Sequence, residues 1–161
     1  MVPTLLAYVH VIMSIMVAFY FVWRQPSFDM YFLLYFILMN LSWVLFRDEC
    51  LLSYIYKKLE NPAYTLGDTV TIDDYDLVFG KDLSKIFLGI FIPLLYVLNL
   101  VIIGHSMPKT RGFILIGIAS FAAYIASLRS SDSNKALIKY GHGSIYTGLL
   151  GVLLYSEIKH S

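Results

Sequence analysis

An all-α integral membrane bundle is the fold class that three observations predict. Residues of the AVILMFWYC set make up 58% of the 161, aromatics 16% and charged residues only 14%, with a mean hydropathy of +0.70. A soluble domain has roughly 45–50% apolar and about 25% charged residues, so this chain carries more apolar surface than one soluble core can hide. The apolar residues also fall into five long runs, and the charges gather between them. Twelve Lys and Arg against eleven Asp and Glu leave a net charge of +1, which supplies no field for a nucleic acid. One cysteine excludes an internal disulfide scaffold. The expected organisation is one transmembrane domain, 1–161, with 47–85 as its only sizeable extramembrane loop.

The first run, Val2 to Trp23, has 22 residues without a charge and reaches ~33 Å as a helix, enough for a hydrocarbon core. It has no basic leader and no small-residue cleavage site, and its Tyr20-Phe21-Val22-Trp23 end predicts a retained, interface-anchored helix. The second is Met30 to Phe46. The third, Ile86 to Gly104, contains Pro93, which predicts a kink because it removes the N–H that the Gly89 carbonyl would accept. The fourth, Gly112 to Leu128, is rich in small residues. The fifth, Ala136 to Tyr155, has Lys139 and His142 in its first two turns, so a four-span bundle with this segment on the surface is the alternative.

With five spans, one side carries Arg47, Lys57, Lys58, Lys81, Lys85, Arg129, Lys135 and Lys139, and the other Arg24, Lys109, Arg111 and Lys159. The positive-inside rule then places the N-terminus and the 47–85 loop in the cytoplasm. In that loop Leu51, Leu52, Ile55 and Leu59 share one helical face while Lys57 and Lys58 stand off it, the pattern of a short interfacial helix. Asn61-Pro62 ends it and Gly67-Asp68 marks a turn. Asp73 and Asp76 start a further turn over 74–79, which Gly80 stops. The acids Asp68, Asp73, Asp74, Asp76 and Asp82 lack calcium-loop spacing and read as caps and a solvated face.

Polar groups inside the bilayer are the natural place to seek function, because an unpaired one is costly there. Counted from the helix ends, His10, Asn40, Tyr124 and His142 lie ~12, ~9, ~6 and ~9 Å from the same side, one layer under one leaflet. Ser120 and Ser127 share Tyr124's face, and Lys139 shares that of His142. The layer fits a hydrogen-bonded clasp between helices, a vestibule for protons, ions or a small polar solute, or a haem between His10 and His142. No other cofactor and no metal site is expected. Cys50, just beyond the second span, is a candidate for lipidation. Gly141, Ser144, Gly148 and Gly151 form a small-residue packing face, and Ala119, Ala122, Ala123 and Ala126 offer another against which it can pack.

No filter, voltage-sensor, zinc-protease, phosphate-loop or nucleophile-elbow motif is present, so no catalytic residue is visible. The order His10, Trp43, Cys50, Leu51-Leu52-Ser53-Tyr54 and Tyr64-Thr65-Leu66-Gly67 resembles small uncharacterised polytopic membrane proteins. One such bacterial family carries Cys-Pro-Leu-Thr where this chain has Cys-Leu-Leu-Ser, without the proline. The 49–68 stretch is also similar to hypothetical membrane proteins of large DNA viruses. The resemblance implies a shared membrane architecture and carries no activity with it. The expected function is that of a structural or accessory membrane component, in a homo-oligomer or with other membrane subunits, whose partner is the bilayer; the alternative is a small channel or transporter using the His10/Asn40/Tyr124/His142 layer.

Overall fold

The computed structural model describes residues 2–68, 73–129 and 135–160, with the side chains of 2, 129 and 156–160 excepted. Every regular element among the described residues is helical. In chain order they are α1 (Val2–Ala18), α2 (Tyr20–Trp23), α3 (Asp29–Leu45), α4 (Leu51–Glu60), α5 (Asp73–Phe79), α6 (Lys81–Ile86), α7 (Ile92–Ser106), α8 (Arg111–Arg129) and α9 (Lys135–His160). Among the described residues, three helical stretches are long and apolar enough to cross a membrane: Pro26–Leu45, Lys81–Ser106 and Pro108–Leu128. Large apolar side chains such as Leu5, Val22, Tyr31, Leu94 and Leu115 are exposed, which is compatible with a surface that faces lipid. α9 has 26 residues but is not among the three. The 130–134 connection and the side chains of Arg129 and Lys159, which enter the charge asymmetry, lie outside the described residues.

The helices fall into two compact units, residues 1–23 with 45–99, and 24–44 with 100–161. In the first unit α1 packs against α4 and α5. The first apolar run is not one helix as expected, because it breaks at Phe19. There the Val22 N–H turns to the Phe19 carbonyl (3.0 Å), which frees the carbonyl of Ala18. Asn99 Nδ2 donates to that carbonyl at 2.7 Å and to Leu95 O at 2.9 Å. The break thus supplies an acceptor for the buried Asn99 amide N–H, while its Oδ1 has no hydrogen-bond partner among the described residues.

Where Pro93 predicts a kink, the helix changes its hydrogen bonding just ahead of the proline. Phe87–Phe91 widens into a π-helical turn in which the Ile92 N–H donates to Phe87 O, five residues back, so α6 and α7 run on as one helix.

α4 and α5 form where the periodicity predicts them, and the apolar face of α4 is turned away from the protein. Leu51, Ile55 and Leu59 are exposed, while Ser53, Tyr56 and Lys57 are buried. Lys57 therefore does not stand in solvent; its Nζ donates to the buried Glu49 Oε1 at 2.6 Å, and Tyr64 OH donates to the same carboxylate at 2.9 Å. The turn after α4 closes on Arg47: Gly67 has φ +86°, and a Cβ there would lie 2.8 Å from Arg47 Cδ, so both backbone and space require glycine.

In the second unit α8 and α9 pack together, and Trp43 of α3 stacks on Phe121 and Tyr124. The two small-residue faces do not meet as expected. Gly141, Ser144, Gly148 and Gly151 are exposed, with open space at the three glycines, and so are Ala119, Ala122, Ala123 and Ala126. Gly117, Ser120 and Tyr124 instead face His142, Tyr146 and Leu149. Side chains that must bury polar atoms claim the interface ahead of those that only permit close approach.

Candidate active site

Cys50 is the residue from which α4 starts: its backbone is extended (φ −73°, ψ 137°) and its carbonyl accepts the Tyr54 N–H at 2.9 Å. The chain reaches it through Arg47 and Asp48, two consecutive non-glycine residues with left-handed backbones (φ 53° and 69°). Such conformations are costly and need surrounding structure to hold them. Here the Glu49–Lys57–Tyr64 cluster on one side and the 64–68 turn on the other supply it.

Within this unit three elements converge on the half-buried thiol. His10 of α1 brings Nε2 to 3.5 Å from Cys50 Sγ. The opposite ring nitrogen, Nδ1, donates to Asp74 Oδ2 of α5 at 2.5 Å, and both side chains are buried. Ser53 Oγ, one turn along α4, donates to the same carboxylate oxygen at 3.1 Å. Tyr75 packs edge-on to the His10 ring, with centroids 5.4 Å apart. The other oxygen, Asp74 Oδ1, is buried without a hydrogen-bond partner among the described residues. The sequence reading of Asp74 as part of a solvated acidic face is corrected: it is completely buried beneath the histidine.

The arrangement is the order thiol, imidazole, carboxylate, with the ring held between its two partners. A nucleophile within reach of a base, and a third group orienting the base, is the recurring geometry of an activated nucleophile. Burial pushes the Cys50 thiol up, but the hydrogen bond and charge of His10, with the Leu52 and Ser53 backbone N–H groups at the start of α4, bring it below its ordinary value. Because Cys50 and Asp74 bind opposite nitrogens of one ring, they do not converge on a common point. No group of three or more His, Cys, Asp or Glu side chains among the described residues is placed to hold a metal ion.

The remaining residues of the expected polar layer lie in the second unit. Asn40 Oδ1 is 3.1 Å from His142 Nε2, and Asn40 Nδ2 donates to Phe36 O at 2.8 Å. His142 Nδ1 is 2.9 Å from Ser120 Oγ. With Nε2 donating to Asn40 and Nδ1 accepting from Ser120, one tautomer satisfies the ring completely. Tyr124 stacks on the His142 ring at 4.3 Å and 11°, and Tyr146 packs against it at 4.5 Å. Asn40, Tyr124 and His142 are thus brought together with Ser120, whereas His10 belongs to the first unit and has partners of its own.

Asp74 and Ser53 are the site residues that sequence reasoning missed. Ser53 faces inward on α4, opposite its apolar stripe, and Asp74 is one acid among five in the same loop. The available signal was the demand of His10 itself, since a histidine in an apolar helix needs a polar partner from another segment. Comparison with protein families, with curated proteins and with solved structures finds no match to this chain.

Proposed function

We propose that this protein is a multi-pass membrane enzyme that uses Cys50 as a nucleophile in acyl transfer at the bilayer surface, with His10 as base and Asp74 as the group that orients it. The observation that carries the reading is the continuous Cys50–His10–Asp74 contact chain, with Sγ to Nε2 at 3.5 Å and Nδ1 to Oδ2 at 2.5 Å. The Cys50 thiolate attacks the carbonyl carbon of an ester or thioester, and the leaving group departs with the proton held on His10 Nε2. An alcohol, amine or water then attacks the Cys50 thioester and loses a proton to His10, and the thiolate is released. The outward Leu51, Ile55 and Leu59 stripe beside the thiol suits a substrate presented by lipid. The sole cysteine has no second thiol in the chain with which to form a disulfide, which favours acyl over redox chemistry.

In this reading the first run, α1 with α2, and the fifth, α9, complete a five-span bundle with the three apolar helices. The N-terminus and the 47–85 loop then face the cytoplasm, as the lysine and arginine bias favours. The experiment is a burst assay on the purified full-length chain with a 4-nitrophenyl ester. The expected result is one equivalent of nitrophenol per chain, with a hydroxylamine-labile adduct on Cys50 that decays on further incubation. Cys50→Ala abolishes the adduct, and His10→Gln slows both its formation and its decay. An adduct that never turns over, in wild type and His10→Gln alike, makes Cys50 a lipidation site instead; no adduct at all refutes the nucleophile.

A second reading, an accessory component of a larger membrane assembly, is favoured by the completely satisfied His142 network and the open Gly141/Ser144/Gly148/Gly151 face. A channel or transporter using the histidines would give pH-dependent flux in liposomes, lost when His10 and His142 are both replaced. A haem would use either ring only by exchanging one of its protein partners for iron, and would give the purified protein a Soret band.

A further inference from the structure

The second unit contains a cavity of about 170 Å³ bounded by α3, α8, α9 and Leu100. Phe36, Gly117 and Tyr146 line it about two turns along α8 from Thr110, and the side chains between are aliphatic or aromatic. The one polar atom of Tyr146, its hydroxyl, donates to Gly117 O at 2.9 Å, so this end offers a ligand no hydrogen bond. Both polar side chains of the lining, Lys109 and Thr110, stand at the other end, where α8 begins. The Thr110 hydroxyl donates to Met107 O at 2.9 Å, which leaves the exposed Lys109 ammonium as the charged group at the mouth. Arg111 lies two residues further on, and no Asp or Glu occurs between 83 and 131. The acid nearest in the sequence to this unit's start, Asp29, is held by Arg24 at 2.5 Å.

From Thr110 to Gly117 the helix rises ~10 Å, so the cavity combines a cationic mouth at the end of an apolar helix with a narrow apolar depth of that order. A free inorganic anion would leave the apolar depth empty, and a neutral hydrocarbon would leave the charge unused. A phospholipid with an anionic headgroup matches both. We propose that this cavity is a binding site for one anionic phospholipid, an acyl chain seated between α3, α8 and α9 and its headgroup on Lys109. The proposal rests on the membrane-spanning part of the reading above and not on Cys50.

The test uses the full-length protein, first floated with phosphatidylcholine vesicles and then analysed by native mass spectrometry after extraction. The probes are phosphatidylglycerol and phosphatidylcholine with identical chains. Phosphatidylglycerol should be retained about fivefold better than phosphatidylcholine. Lys109→Gln should bring the two to parity, and Lys109→Arg should keep the preference. Leu149→Phe, which narrows the cavity, should reduce retention of both. Equal retention of the two lipids by the wild type, an undiminished preference in Lys109→Gln, or displacement of phosphatidylglycerol by inorganic phosphate would overturn the site. Failure to float would remove the membrane reading and the site with it, while leaving the Cys50 burst assay as it stands.

Discussion

The molecule contains two buried histidine clusters, and they differ in the company each ring keeps. His142 meets an amide, a hydroxyl and two aromatic rings, so its polar atoms are satisfied without any charged neighbour in the cluster. His10 stands between a carboxylate and a thiol, with a second buried carboxylate oxygen left unpaired beside it. The same residue type is held by neutral partners in one unit and between a carboxylate and a thiol in the other. What separates them is the ionisable partner, because only a proton-exchanging neighbour lets an imidazole do chemistry.

The largest effect that would sharpen this contrast is on stability. Asp74→Ala removes the partner of a buried histidine and should cost about 3–5 kcal/mol, whereas Asn40→Ala breaks one neutral contact and should cost about 1 kcal/mol. Unfolding of the two variants in mixed micelles measures the difference, and equal losses would erase the distinction between the clusters. Next comes Asn99→Ala, which strands the carbonyl of Ala18 and should cost about 1–3 kcal/mol by the same measurement.

The third effect is on reactivity. Only the thiolate alkylates, so the rate of iodoacetamide labelling should rise with pH through the folded value of Cys50, which lies below that of an ordinary thiol. His10→Gln should move that midpoint upward, while His142→Gln should leave it in place. A midpoint indifferent to His10 would break the proposed link between the ring and the thiol. The smallest effects separate two kinds of glycine on α9. A Cβ at Gly143 would meet Val44 Cγ1 at 3.1 Å, whereas Gly148 has open space. Gly143→Ala should therefore lower the melting temperature slightly, and Gly148→Ala should be neutral or gain up to about 1 kcal/mol from helix propensity.

Much of this was legible in the sequence because it depends on neighbours along the chain. The apolar runs around 30–46, 86–104 and 112–128 became helices long enough to cross a membrane, and Asp73 and Gly80 bound a short helix. The grouping of Asn40, Tyr124 and His142 was also within reach, since helical rise alone gives depth. The break at Phe19 was not, because nothing local requires it; the carbonyl it frees is answered by Asn99, 81 positions away. The inward turn of Lys57 was hidden for a similar reason, as a helical wheel records which residues share a face but not which face the protein covers.

By itself, then, the sequence determined an all-helical, predominantly apolar chain, the place of most of its helices and that His10 had to find a polar partner. Only the tertiary structure decided that the partner is Asp74 and that the ring's far side meets Cys50. These residues lie 64 and 40 positions from His10, on helices that start and stop independently. Periodicity and propensity act over a few residues, whereas a thiol, an imidazole and a carboxylate from three segments meet only through packing.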